Sequence, residues 1–211
     1  MAGMRRGVRR GFTRLSDRVG GGSAQGIEIV SNAYGATSSL TLPSGIEAGD
    51  LILAYIANDS STLPGTPTGY TSIETASAST TARLRAIYKI ADGTETTITT
   101  TNQTRCAAII FRGASGIGNT NKNDGLTTVN TFILKPASIT DGSLVVGGYY
   151  NANATLSAAW LASLNDGTTV QMLAVSPNAE FAQRFMDSSG SSYFIHGTGP
   201  RCGITVEVLA A

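Results

Sequence analysis

The sequence predicts an all-β protein: a two-sheet antiparallel sandwich of jelly-roll type, with an extended or short-helical N-terminal arm. Three observations carry this. Short apolar runs with period-two alternation recur along residues 25–211, separated by Gly, Pro, Asn and Asp. Charged residues make up only 14% of the chain, and Thr, Ser, Gly, Asn and Ala fill the gap, a mix suited to short strands and tight turns. Residues 1–24 break the pattern: Met1 to Gly22 holds six arginines against one acid, giving +5, while the remaining nine bases and thirteen acids give −4. At 211 residues and 41% apolar content, the body is large enough for a real core.

Taken in order, the arm comes first. Val8, Phe12, Leu15 and Val19 are spaced by four, three and four, an amphipathic helical spacing that Gly7 and Gly11 weaken. Gly20-Gly21-Gly22-Ser23 is a flexible hinge. The arm cannot bury enough apolar surface to order itself alone, so it reads as a tethered basic peptide that folds on contact. Strands are expected at Ile27–Val30, Ser39–Leu42, Leu51–Ala57, Thr71–Thr75, Ala82–Ile90, Thr96–Thr101 and Cys106–Phe111. In Leu51–Ala57 both alternating faces are apolar, which fits a strand covered on both sides. Residues 58–70, with Pro64, Gly65, Pro67 and Gly69, form a long loop, and 113–125 another.

The second half reads as strands at Thr128–Leu134, Leu144–Tyr150, Thr169–Ser176, Ala179–Asp187, Ser192–His196 and Gly203–Leu209. Residues 151–166 read as a loop with a short turn of helix around Ala158–Leu164. An internal likeness links Ala48-Gly49-Asp50-Leu51 with Asp141-Gly142-Ser143-Leu144, and Arg105-Cys106 with Arg201-Cys202. Two related halves, 25–113 and 126–211, compete with the plainer view that sandwiches reuse turn-and-strand words.

No run approaches the roughly 18 apolar residues needed to cross a bilayer, and the basic N-terminus lacks the apolar stretch of a secretory signal, so neither membrane nor export signal is expected. Cys106 and Cys202 lie in apolar strand-like runs and read as buried free thiols.

Chemistry-bearing residues are sparse. His196 is the single histidine, and no nucleophile-elbow word surrounds any serine. Glu28, Glu47, Glu74, Glu95, Glu180 and Glu207 show no pairing of a glycosidase type. Asn119 to Gly125 lacks the closing Glu of a calcium loop, and Gly20 to Gly22 lacks the Lys-Ser/Thr of a phosphate loop. Tyr34, Tyr70, Tyr149, Tyr150 and Trp160 could line a sugar platform, against the plainer reading that Tyr149 and Tyr150 split between core and surface. The expectation is a non-enzymatic protein without cofactor or metal.

Leu42-Pro43-Ser44-Gly45, Ala48 to Tyr55, Pro67-Thr68-Gly69-Tyr70-Thr71, Ile87 to Glu95 and Phe111-Arg112-Gly113 together resemble β-sandwich structural proteins of tailed bacteriophages. Those proteins carry an AGDLLL turn-strand, a P-x-GW/YT loop, a YKxAxGxE strand-turn and a strand ending in RG. Tyr70 stands here where Trp is common. The resemblance covers about a third of the chain and brings no catalytic residues. It implies a head decoration (cement) protein, a head fibre or a tail-associated component. On that basis the expected partners are the major capsid protein and further copies of this chain, a trimer among the cyclic forms, at the capsid exterior. The arm lies outside the resembled motifs. Arg5, Arg6, Arg9, Arg10, Phe12, Arg14, Leu15 and Arg18 are its candidate partner-binding residues, arginines for bidentate contacts and Phe12 and Leu15 for a groove. Host-glycan binding by loops and nucleic-acid binding by the arm are the alternatives, the latter with strong salt dependence.

Overall fold

The computed structural model describes residues 26–35, 37–126, 130–134, 138, 140, 142–151, 156–163, 169–172, 182–185, 192–196 and 201–211. These are all strand or connection. The first half gives β1 (Glu28–Gly35), β2 (Ser39–Thr41), β3 (Leu51–Asn58), β4 (Thr71–Ala78), β5 (Ala82–Ile90), β6 (Thr97–Thr99) and β7 (Arg105–Arg112). The second gives β8 (Ala114–Leu126), β9 (Asn130–Leu134), β10 (Leu144–Asn151), β11 (Leu156–Ser163), β12 (Thr169–Met172), β13 (Ala182–Phe185), β14 (Ser192–His196) and β15 (Arg201–Ala210).

The protein is all-β, as the alternation predicted, and every pairing is antiparallel. One five-stranded sheet runs β1-β7-β3-β5-β4 and a second runs β12-β11-β10-β15-β8. A ribbon β2-β6 and a three-stranded sheet β13-β14-β9 complete the described pairings. The two large sheets pack face to face. Leu51, Leu53, Tyr55 and Ala57 of β3, Leu84 and Ala86 of β5, and Ala107, Ile109 and Phe111 of β7 meet Val146 and Tyr150 of β10 and Cys202, Ile204, Val206 and Val208 of β15.

The opposite face of the first sheet is apolar too. Ile52, Ala54 and Ile56 of β3, with Ile87, Cys106, Ala108 and Ile110, lie under Leu40, Leu42 and Ile98 of the β2-β6 segment. The order of layers is therefore ribbon, sheet, sheet, and all eight residues of β3 are buried. The second sheet is covered on its outer side as well, since Val145, Tyr149 and Thr205, which alternate with the central residues, are buried.

Several elements depart from the sequence expectation. Residues 113–125, read as a loop because Gly and Asn dominate them, form most of β8. This is an edge strand on β15 whose three register shifts absorb residues that a regular ladder would not hold. Residues 151–166, read as a loop with a helical turn, contain β11. Its Ala and Leu favour helix in isolation, but pairing on both sides with β10 and β12 overrides propensity. Tyr149 and Tyr150 do not split between core and surface, because both faces of β10 are covered and both residues are buried. Cys106 and Cys202 are free and buried, as expected. Burial pushes the Cys202 thiol up to about 12 and raises that of Cys106 as well, so neither is a ready nucleophile.

Leu53 has no exposed surface and sits where the two large sheets meet. Leu53→Ala is expected to lower stability by about 2–5 kcal/mol, read as a shift of the urea midpoint with an unchanged slope.

Candidate functional site

The turn that leads into β3 supplies a polar cluster in the first half. Asp50 closes that turn. Gly49 sits at a φ of 95°, a left-handed value that glycine adopts freely. Asp50 accepts the backbone N–H of Glu47 at 2.9 Å. Arg112, the last residue of β7, donates Nε to one Asp50 oxygen and Nη2 to the other, both at 3.0 Å. Arg112 also pairs with Glu47 at 3.1 Å. The guanidinium holds the Asp50 carboxyl below the usual carboxylate range, against the effect of burial, and the Glu47 N–H adds to it. The AGDL and RG words of the sequence are thus the two sides of one clamp, which fixes where β3 begins and β7 ends.

The same turn in the second half is held differently. Ser143 occupies the place of Asp50, and its N–H reaches Thr140 O at 3.1 Å, as that of Asp50 reaches Glu47 O at 3.1 Å. The carboxylate now comes from β15. Glu207 is buried and accepts from the N–H groups of Thr140 and Asn119, the latter at 2.8 Å, and lies 2.8 Å from Ser143 Oγ. Burial pushes its pKa up, but the two backbone donors and the hydroxyl outweigh burial, and it lies below its ordinary value. Gly118 leaves room for this carboxylate, since a Cβ there would fall on it.

Further ion pairs lie along the edges. Lys89 meets Glu95 at 2.6 Å and Asp92 at 3.1 Å. Lys122 on β8 meets Glu74 on β4 at 3.3 Å, and Asp124 accepts the N–H of Ser77 at 2.7 Å, so one side of the sandwich is tied shut. Arg105 pairs with Asp59 at 2.7 Å and lies 6.0 Å from the centroid of the Tyr150 ring.

The arm residues Arg5, Arg6, Arg9, Arg10, Phe12, Arg14, Leu15 and Arg18 lie outside the described residues. Their point of attachment does not. Gly26 packs against Gly113, where β7 passes into β8, and the Ala211 N–H donates to Gly113 O at 2.9 Å. Gly26, the first described residue of the body, therefore lies near Arg112 of the clamp and near Ala211. The tyrosines considered for a sugar platform are not brought together. Tyr34 packs on the central core, Tyr70 on the outer one, and Tyr149 and Tyr150 are buried. The side chains of Trp160 and His196 and all of Glu180 lie outside the described residues. Among the described residues no three His, Cys, Asp or Glu side chains converge as a metal site. Sequence reasoning missed Glu207; its only signal was a lone acid in an apolar strand, a pattern that requires donors around it.

Comparisons with known protein families, with curated proteins and with solved structures find no match to this chain.

Asp50 and Glu207 both have depressed folded-state values. Their contribution is complete above the unfolded carboxylate range and is lost as pH falls below about 4.5. Thermal denaturation between pH 7 and pH 3 is expected to show this loss. Glu207→Gln should be less stable at pH 7 and should lose less on acidification, whereas an acid limb as steep as that of the wild type would contradict the assignment.

Proposed function

We propose that the chain is a non-enzymatic structural protein of a tailed-phage virion, a decoration or cement protein that sits on the capsid exterior and clamps major capsid subunits through its N-terminal arm. The observation that carries this reading is the division of charge. The arm holds +5 and the body −4, and the arm leaves the body at one end, beside Gly113. Of the body's described cations, Lys89, Arg105, Arg112 and Lys122 pair with carboxylates of the body, while Arg83 donates to the carbonyls of Ser61 and Ser79 and Arg85 to the hydroxyls of Thr66 and Ser72. The chain's arginines are most concentrated in the arm, where they are interspersed with Val8, Phe12, Leu15 and Val19. That combination suits an acidic, grooved protein surface more than a bare phosphate backbone.

The resembled motifs support the same reading in physical terms, since they coincide with the clamp at Asp50 and Arg112 and with the Lys89–Glu95 pair. Copies of this chain are further partners in the proposal, as a cyclic oligomer at a symmetry axis. Neither nucleic acid nor membrane enters it. The buried positions of Tyr149 and Tyr150 leave the glycan reading without its intended platform.

Two measurements test the proposal. Immunogold electron microscopy of source virions, with antibody against residues 25–211, should place gold over the heads; gold at the tail would reassign the protein to adsorption, and bare virions would sink the reading. Chains lacking residues 1–24, or with all six arm arginines changed to Gln, should keep their circular dichroism and melting temperature yet lose roughly tenfold or more in capsid co-sedimentation, as expected when the main contacts of an interface are removed. Undiminished capsid binding would remove the arm from the mechanism. Nucleic-acid retention that falls steeply with salt would favour a coat protein instead.

A further inference from the structure

We propose that the two halves of the chain are copies of one unit, packed face to face about a pseudo-twofold axis that passes between Tyr55 and Gly148. The strand orders carry the first part. In the first half the first, last and third strands lie side by side, as β1-β7-β3, and the second pairs with the last but one, as β2-β6. In the second half β8-β15-β10 and β9-β14 repeat this order. β3 and β10 are both eight residues long, both start with Leu and both end with Asn.

The stacking carries the second part. A twofold axis through the middle of two such sheets sets β7 over β11 and, equivalently, β5 over β15, and these pairs are in contact; the symmetry is approximate, since β4 and β8 approach far more closely than their mates β1 and β12, and β5 and β10 more closely than β3 and β11. It sets equivalent residues on the axis against each other. Tyr55 and Gly148 are separated by the 93 residues that relate β3 to β10, and they touch: a Cβ on Gly148 would enter the Tyr55 ring. Tyr55 Oη donates to Val146 O at 2.8 Å. Two identical tyrosines could not occupy the axis, and the glycine makes room for the single one.

Hydrogen bonding of the turns agrees. At the same separation of 93, Glu47 corresponds to Thr140, Gly49 to Gly142 and Asp50 to Ser143. The turn bonds match at 3.1 Å, and both glycines have positive φ. In each half a carboxylate takes the N–H of the first residue, from Asp50 in one and Glu207 in the other. The Arg-Cys words do not correspond in space. Cys106 faces the outer cluster and Cys202 the central one. Ala57 lies opposite Arg105 while Tyr150 lies opposite Cys202, so β7 and β15 are related by 97 residues, one more than the words imply. The halves also differ at one edge, where β5 neighbours β3 but β11 neighbours β10, and β13 has no counterpart in the first half.

A chain built this way carries its outward elements in like pairs, which suits a component bridging two neighbouring copies of one subunit. That consequence rests on the virion reading; the axis does not. The test reads folding and geometry rather than capsid binding, so the two fail separately. In the full chain, Tyr55→Gly and Gly148→Tyr alone should each lower the melting temperature by about 10 °C. The double variant should recover at least half of the combined loss. Its crystal structure should show the hydroxyl of the introduced tyrosine on the Leu53 carbonyl, the dyad mate of Val146. Additive losses, or an introduced ring pointing elsewhere, would overturn the axis. Should the double variant not fold, a circular permutant decides: residues 114–211 joined by a short Gly-Ser linker to residues 26–113. Equivalent halves that pack through one shared core require it to melt cooperatively within a few degrees of the wild type, and an unfolded permutant would refute them.

Discussion

The constraint on which the structure depends is the complete burial of β3. A strand apolar on both faces cannot sit in a simple sandwich with one wet side; it needs a layer above and a layer below. The second sheet supplies one through Val146, Ile204 and Val206, and Leu40, Leu42 and Ile98 supply the other. At about 25 cal/mol per Å² of apolar surface removed from water, this doubly covered strand is the chief source of cohesion between the layers. The small side chains within it and beside it, Ala54 and Ala57 of β3 with Ala86, Ala107 and Ala108 of its neighbours, let sheets and ribbon approach closely. Tyr55 then fills the central layer and satisfies its hydroxyl across it on a backbone carbonyl.

Polar groups in this body define ends rather than supply cohesion. The paired turns illustrate it. Each begins a buried strand, each leaves a backbone N–H without a ladder partner, and each is satisfied by a carboxylate. In the first half that carboxylate is balanced by Arg112. In the second it is balanced by oriented N–H and O–H donors, which suffices because four of them converge on Glu207. The edge pair of Lys122 with Glu74 is partly exposed, and such pairs contribute little to stability. Its effect is to keep the β4 and β8 edges together and unavailable to other strands.

What the sequence disclosed follows the same division. Leu51–Ala57 was legible because its double apolar character is a local property. Ala82–Ile90 was legible because alternation of Arg and Lys with Leu, Ala and Tyr marks two unlike faces. The long strand at 114–126 was not, since its Gly and Asn residues have low strand propensity and only pairing with β15 makes them extended. The 156–163 strand was hidden for the converse reason: Leu, Ala and Trp carry no alternation when both faces are apolar. Of the candidate site, the Asp50 turn was visible as turn chemistry, but its pairing with a residue 62 positions away was not, because nothing local to Arg112 announces a partner. Glu207 and Gly118 were invisible singly and explain each other only in space.

Charge bears on how arm and body divide their work. A body whose described cations are each held by its own carboxylates, carbonyls or hydroxyls presents hydroxyl-rich faces, as on the ribbon, where Ser39, Thr41, Thr97 and Thr99 face outward and Ser39 bonds Thr99. Such a surface packs against neighbours at little desolvation cost, yet it steers nothing from a distance. An arm with six arginines and one acid does the reverse: its charge attracts at long range. In the proposed clamp, arm and body divide recognition in time, the arm making the first, salt-sensitive encounter and the hydroxyl-rich faces making the close fit.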